Sequence, residues 1–69
     1  MIEIDWEKIR SVMRRQGINQ DQMAEKLGVD RTTVWRWMNG FADIPTAKFF
    51  QLVGELGLPI AGCVRFVQE

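Results

Sequence analysis

Residues 19–40, NQDQMAEKLGVDRTTVWRWMNG, decide the fold of this chain. Asn19 is a favourable N-cap residue, and Gln22 stands three positions later, as in a capping box. The first helix of this stretch is predicted to end at Gly28, because glycine readily adopts the left-handed conformation found at helix ends. A second helix follows after only two residues. Two short helices joined by a turn that contains glycine predict a helix-turn-helix unit.

The second helix of this unit indicates what the unit is for. Asp30 is its candidate N-cap, and the helix is predicted to run to about Asn39 with Gly40 as its stop. At about 100° per residue, its apolar residues fall on one side and its polar residues on the other. Arginine and hydroxyl groups on one face suit base edges and phosphates in a major groove. The alternative is an ordinary amphipathic helix with a solvated charged face. The polar side contains Arg31, Thr32, Trp35, Arg36 and Asn39.

Residues 18–58 resemble the lambda repressor/Cro class of helix-turn-helix domains, also called the XRE family. The run GVDRTTVWRW is also similar to the phage CII activators of the same broad class. The resemblance implies a mainly α, four-helix fold, and the length and composition of the chain agree with one DNA-binding domain over residues 1–69. The matching residues are Gln20, Ala24, Leu27-Gly28-Val29, Val34, Asn39-Gly40, Pro45, and Leu52 through Leu56-Gly57-Leu58.

The resemblance also implies roles for individual side chains. The candidates for reading bases are Arg31, Thr32 and Arg36, with Trp35 as a further candidate. Trp35 has three open roles: stacking on a sugar, contact with a thymine methyl group, or binding of a protein. Gln20 and Asn39 match positions that contact phosphate in the family. Three cations are further candidates for phosphate contact: Arg14, Arg15 and Lys48.

Helix 1 is predicted over residues 6–16, with Asp5 as its N-cap and Gly17 as its stop. Many members of the family pair an arginine on helix 1 with a glutamate near the end of helix 3. The corresponding residues here are Met13 and Met38. Replacing a buried ion pair by packed hydrophobic groups is often neutral or stabilising, so we expect these two methionines to touch in the core.

Helix 4 is predicted to begin with Pro45 in its first turn and to run to about Leu56, with Gly57 as its stop. Its inward stripe is expected to contain a phenylalanine, two leucines and a valine, with Phe50 beside that stripe. Gly54 is unfavourable in the middle of a helix, so we expect a close contact at that position. The four stripe residues are Phe49, Leu52, Val53 and Leu56.

The tail, residues 58–69, departs from a plain helical repressor domain. Residues 63–67 are rich in β-branched and aromatic residues and predict a strand. Its expected partner is a short strand over residues 1–4, or the same strand of a second subunit. An open strand edge favours association, so we expect dimerisation through Val64, Phe66 and Val67.

Composition limits the remaining function classes. The formal net charge is zero, but residues 8–36 contain seven basic and three acidic residues, a net charge of +4. The chain contains no histidine, and Cys63 is its only cysteine, so we expect no enzyme activity, metal site or cofactor. No motif in the sequence indicates a small-molecule ligand. No apolar run approaches 18 residues and no signal peptide is evident, so we expect neither secretion nor membrane insertion. Together with the resemblance, this implies a cytoplasmic, nucleoid-associated protein of a bacterial host.

The sequence therefore predicts a sequence-specific DNA-binding transcriptional regulator. The resemblance implies a phage or prophage protein that binds a palindromic operator as a homodimer. The rival is a protein-interaction module on the same fold, such as an antirepressor or adaptor. Trp35, Phe50 and the zero net charge favour the rival, whereas Arg31 and Arg36 on one face favour DNA. The operator, the regulated genes and the choice between repression and activation do not follow from the sequence.

Overall fold

The chain folds into four α-helices followed by a 3-10 turn, with a short strand at each end. The computed structural model describes residues 1–68, so the last residue of the predicted tail, Glu69, lies outside the described residues. The predicted fold class is confirmed. The elements are β1 (Ile2–Ile4), α1 (Trp6–Gln16), α2 (Gln20–Leu27), α3 (Arg31–Met38), α4 (Thr46–Leu56), the 3-10 turn (Ile60–Cys63) and β2 (Val64–Phe66).

The starts of α1 and α2 follow local capping chemistry. The Asp5 carboxylate accepts a hydrogen bond of 3.1 Å from the backbone N–H of Lys8. Asn19 and Gln22 form the predicted capping box, with reciprocal side chain to backbone bonds of 2.8 and 2.9 Å. These bonds satisfy N–H groups that have no partner inside the helix, so they fix where each helix begins.

The starts of α3 and α4 differ from the expectation. Asp30 occupies the N-cap position of α3, but its side chain makes no capping hydrogen bond. Pro45 is the N-cap residue of α4 rather than a residue of its first turn, with an extended backbone at φ −60° and ψ 145°. The ring of proline fixes φ near this value, so Pro45 suits the last residue before the helix equally well.

All four α-helices end in the same motif. A glycine with φ between +70° and +79° comes directly after α1, α2 and α4, and after Asn39 at the end of α3. In each case the residue after the glycine donates its N–H to the carbonyl five positions before it. This is the Schellman motif, in which the residue after the glycine commonly packs against the last helical turn. Three of these following residues are half-buried and pack against the core: Ile18, Val29 and Leu58. The fourth is Phe41, on the surface.

Long side chains tie the end of one helix to another helix. Carbonyl groups in the last turn of a helix have no partner within it and carry partial negative charge, so they favour donors, above all cationic ones. Here α4 supplies the donor for the end of α2, and α1 supplies the donors for the ends of α3 and α4. The three bonds are Lys48 Nζ to Leu27 O (2.7 Å), Arg10 Nη2 to Met38 O (2.6 Å) and Gln16 Nε2 to Leu56 O (2.8 Å).

The predicted inward stripe of α4 forms part of the core. All four of its residues are buried. On α1, Ile9, Val12 and Met13 are also buried, whereas Trp6 is only half-buried. The side chains of Met13 and Met38 are 3% and 5% exposed, and both line the same surface groove. Their direct contact stays a prediction.

The terminal segments pair with each other within one chain. Strands β1 and β2 are antiparallel, with Ile2 opposite Phe66 and Ile4 opposite Val64. Of the two partners that the sequence left open, the pairing in this structure is therefore with the chain's own N-terminus. The strands are shorter than predicted, at residues 2–4 and 64–66.

Cys63 belongs to the 3-10 turn and not to the predicted strand. Its side chain is fully buried, and its carbonyl accepts a 2.8 Å hydrogen bond from the N–H of Asp5. Burial raises the pKa of the Cys63 thiol, while nearby Lys8 acts in the opposite direction. The cysteine therefore serves as a small core residue where the tail meets the start of α1.

The expected close contact at Gly54 is wrong. A Cβ atom added there would meet no other atom within 4 Å, apart from its own helix backbone and chain neighbours. The glycine thus costs helix stability without any packing reason.

Among residues 1–68, no helix has the length and apolar character needed to cross a bilayer.

Candidate nucleic-acid interface

The outward face of α3 carries the four predicted base-reading residues. Arg31, Thr32, Trp35 and Arg36 are all exposed, whereas Val34 and Trp37 are buried on the opposite side. The inward residues anchor α3 in the core, so the outward face is held on a rigid element. The helix thus presents two guanidinium groups, a hydroxyl group and an indole to solvent.

A groove runs between the N-terminal ends of α2 and α3. It has a volume of about 460 Å³ and brings the predicted phosphate contact Gln20 beside three of the predicted base readers. The N-terminal end of a helix carries partial positive charge and free N–H groups, which favour anions. The groove therefore combines two helix starts with arginine and amide donors. Its lining residues are Asn19, Gln20, Asp21, Arg31, Thr32 and Trp35.

Arg31 has a partner within the chain. Its Nη1 lies 3.5 Å from Oδ2 of Asp21, and both side chains are more than half exposed. An exposed ion pair of this kind contributes little free energy, so the guanidinium is free to exchange the carboxylate for another acceptor. The sequence did not reveal this pair, because its two residues come from different helices. In the structure Asp21 and Arg31 both line the groove.

The other predicted phosphate contacts lie in different surroundings. Arg14 lines a second groove together with Asn19 and Gln20, so it lies close to the start of α2. Arg15, the next residue of α1, is exposed but lines neither of these two grooves. Arg14 thus extends the donor set around Gln20.

Asn39 and Lys48 already use donors within the chain. The Asn39 side-chain amide donates a 2.8 Å hydrogen bond to the carbonyl of Trp35, where it closes the last turn of α3. The Lys48 ammonium binds the carbonyl of Leu27 at the opposite end of α2 from Gln20. Phosphate contact by either residue stays a prediction, and it requires donors beyond those used here.

Trp35 stacks on an aromatic residue that the sequence did not single out. The ring centroids of Trp35 and Phe41 lie 5.3 Å apart at an interplanar angle of 14°. Both remain accessible, with 45% of Trp35 and 71% of Phe41 exposed. An apolar residue directly after Gly40 was the available signal, because the Schellman motif places that residue against the preceding turn.

Comparison with known proteins agrees with this arrangement. A family model described as helix-turn-helix matches residues 9–62, which include all four helices except the first three residues of α1. No curated protein and no solved structure gave a significant match. The match covers well over half of the chain and contains the groove and the outward face of α3. The chain belongs to the XRE-type helix-turn-helix family of DNA-binding regulatory domains.

Proposed function

We propose that the chain is a sequence-specific transcriptional regulator that inserts α3 into the major groove of DNA. The observation that carries this proposal is the exposed face of α3 beside the start of α2. In helix-turn-helix proteins the second helix of the unit enters the major groove and the first crosses the backbone. Arg31 and Arg36 supply donors for guanine edges, and Gln20 supplies a donor for phosphate.

The proposed regulator acts as a homodimer. The apolar face of the sheet continues beyond the core, because Ile4 and Val64 pack against the core while Ile2 and Phe66 are 60% and 77% exposed. The proposed dimer contact contains Phe66 with Val64 and Val67, although the last two are already half-buried within one chain. Two-fold pairing would place the recognition helices about 34 Å apart on a palindromic operator.

The finer identity rests on resemblance. The similarity of residues 28–37 to the phage CII activators, and of the overall layout to Cro-type proteins, supports a phage or prophage regulator in a bacterial cytoplasm.

The second candidate function is a protein-interaction module on the same fold. The exposed Trp35 and Phe41 rings favour it, because aromatic residues are enriched in protein interfaces. The zero formal net charge also favours it. Such a module would present α3 to a protein surface and bind DNA weakly or not at all.

Fluorescence anisotropy with labelled mixed-sequence duplex DNA at 50 and 200 mM salt separates the two candidates. If each protomer contacts about four phosphates, the affinity of the proposed dimer should fall roughly 10⁴-fold between these conditions. Arg65→Ala is the control for the loss of an arginine outside the proposed interface, because Arg65 lies on the sheet and pairs with Glu3 at 3.6 Å. This variant should bind DNA as the wild type does. A chain without measurable affinity at the lower salt concentration is the interaction module instead.

A further inference from the structure

The end of α3 differs from the other three helix ends in one respect. The apolar residue after the glycine packs against the core at the ends of α1, α2 and α4. At the end of α3 the same position is Phe41, which lies on the surface against Trp35. The backbone motif is the same, since Phe41 donates its N–H to Arg36 O at 2.9 Å and Gly40 has φ +79°. Only the direction of the apolar contact has changed.

The stack restrains the indole on the outward face of α3. Phe41 covers one face of the Trp35 ring system, while much of the indole stays open to solvent. A tryptophan without such a partner would sample several rotamers, and binding would then have to order it. The stack therefore favours one orientation of the ring, and Trp35 lies between Arg31 and Arg36 in angular order around the helix.

We propose that Trp35, positioned by Phe41, contacts the 5-methyl group of a pyrimidine in the bound DNA. This inference rests on the proposed function, because it requires α3 to enter the major groove. Base edges in that groove present hydrogen-bond donors and acceptors, and the apolar group among them is the thymine methyl. The apolar indole of Trp35, on a face that also carries two arginines, can pack against this methyl group. A cytosine methylated at C5 presents the same methyl group.

Phe41 acts here as a positioning residue. Phe41 lies beyond the end of α3, so Trp35 is the residue that enters the major groove. Phe41 stacks on the indole and restrains it there. Phe50 of α4 provides a control, because it is another exposed phenylalanine whose ring lies near Phe49 and not near Trp35.

The test uses the full chain and a duplex selected from a random library by the chain itself. Each thymine in this duplex is replaced in turn by deoxyuridine, which removes only the methyl group. We expect one thymine in each half-site at which the affinity falls about fourfold, the value of one buried methyl group. If the selected base there is cytosine, methylation at C5 should raise the affinity by a similar factor.

Variants then assign the methyl effect to the stack. Trp35→Ala should abolish the difference between thymine and deoxyuridine, and Phe41→Ala should reduce it to less than twofold with the salt dependence unchanged. Phe41→Leu keeps an apolar residue at the helix end, so it provides a folded variant if Phe41→Ala unfolds, and it should also weaken the methyl effect. Phe50→Ala should leave the effect intact.

The outcomes separate this inference from the function on which it rests. Specific DNA binding without a methyl effect at any position would overturn the inference alone. A methyl effect that persists in Trp35→Ala would do the same. A chain that binds no DNA overturns the proposed function together with the inference.

Discussion

The guanidinium of Arg10 donates a 2.6 Å hydrogen bond from Nη2 to the backbone oxygen of Met38, which joins α1 to the end of α3. The same group lies 3.4 Å from Oδ1 of Asn39. Many relatives are expected to link these two helices through an arginine and a glutamate, at positions that hold methionines here. Arg10 lies one helical turn before Met13, so this chain connects the same two helices by a different bond.

Replacing Arg10 should therefore destabilise the fold. We expect Arg10→Met to lower the free energy of unfolding by about 1–2 kcal/mol, because a charge-assisted bond to a helix-terminal carbonyl is lost. Urea denaturation followed by circular dichroism measures the change. Arg15→Met on the exposed side of α1 is the control and should change stability by less than about 0.5 kcal/mol. Equal losses in the two variants would remove the stabilising role of Arg10.

The two buried methionines make a second prediction about stability. Met38→Glu places a carboxylate at a position that is 5% exposed, and we expect a loss of about 3–5 kcal/mol from an unpaired buried charge. Adding Met13→Arg should recover part of the loss by restoring the ion pair. A double-mutant cycle from denaturation curves gives the coupling energy. A double variant no more stable than Met38→Glu would contradict contact between the two positions.

Gly54, inside α4, and Gly57, directly after it, should respond to alanine in opposite directions. Gly54 lies within the helix with open space around it, so Gly54→Ala should stabilise the fold by about 0.5–1 kcal/mol. Gly57 has φ +70°, where an L-residue with a side chain is strained, so Gly57→Ala should cost roughly 1–2 kcal/mol. Thermal unfolding of both variants decides the signs. Destabilisation by Gly54→Ala would indicate a close contact that the structure lacks.

The helices could be predicted from sequence because their ends depend on local chemistry. Asp5, Asn19 and Gln22 bond to backbone atoms three residues away, and the glycine stops act on the adjacent turn. The extended tail was predicted for the same reason, from its β-branched composition. Local signals also explain the error at Cys63, since a cysteine before Val64 looks like strand although its packing beneath α1 places it in a 3-10 turn.

Bonds between distant residues could not be predicted in this way. Arg10 and Met38 are 28 residues apart, and Lys48 lies 21 residues from Leu27. Nothing in the helical pattern distinguishes these two cations from solvated ones. The sequence therefore predicts a phosphate contact for Lys48 and gives no sign of the bond that Arg10 makes. The ion pair between Arg31 and Asp21 depends in the same way on the packing of α2 against α3.

The exposed end of the sheet should control self-association. We expect Phe66→Asp to convert a dimer into a monomer in sedimentation velocity, because the charge would be buried in the proposed apolar contact. Phe50→Asp, on α4, is the control and should leave the dimer intact. Phe66→Asp should also lower the affinity for the operator, whereas Phe50→Asp should not. A wild-type chain that already sediments as a monomer at tens of micromolar and binds one half-site would contradict the dimer.

Truncation provides an independent test of the same contact. Deleting residues 64–69 removes β2 but keeps Cys63, whose side chain is fully buried in the core. A longer deletion from residue 62 would also remove this core residue. Loss of the dimer contact could then not be told apart from loss of folding. The shorter deletion should leave the helical circular dichroism signal largely unchanged and give a monomer.

Selection of bound DNA from a random library, carried out in parallel for the wild type, Arg36→Ala and Gln20→Ala, tests most directly whether α3 reads bases. The wild type should enrich a defined sequence. Arg36→Ala should lose about 1–3 kcal/mol of affinity and relax the preference at one base position in each half-site. Gln20→Ala should keep the preference and weaken binding to all sequences nearly equally. If Arg36→Ala retains both the affinity and the base preference of the wild type, α3 does not dock in the major groove as proposed.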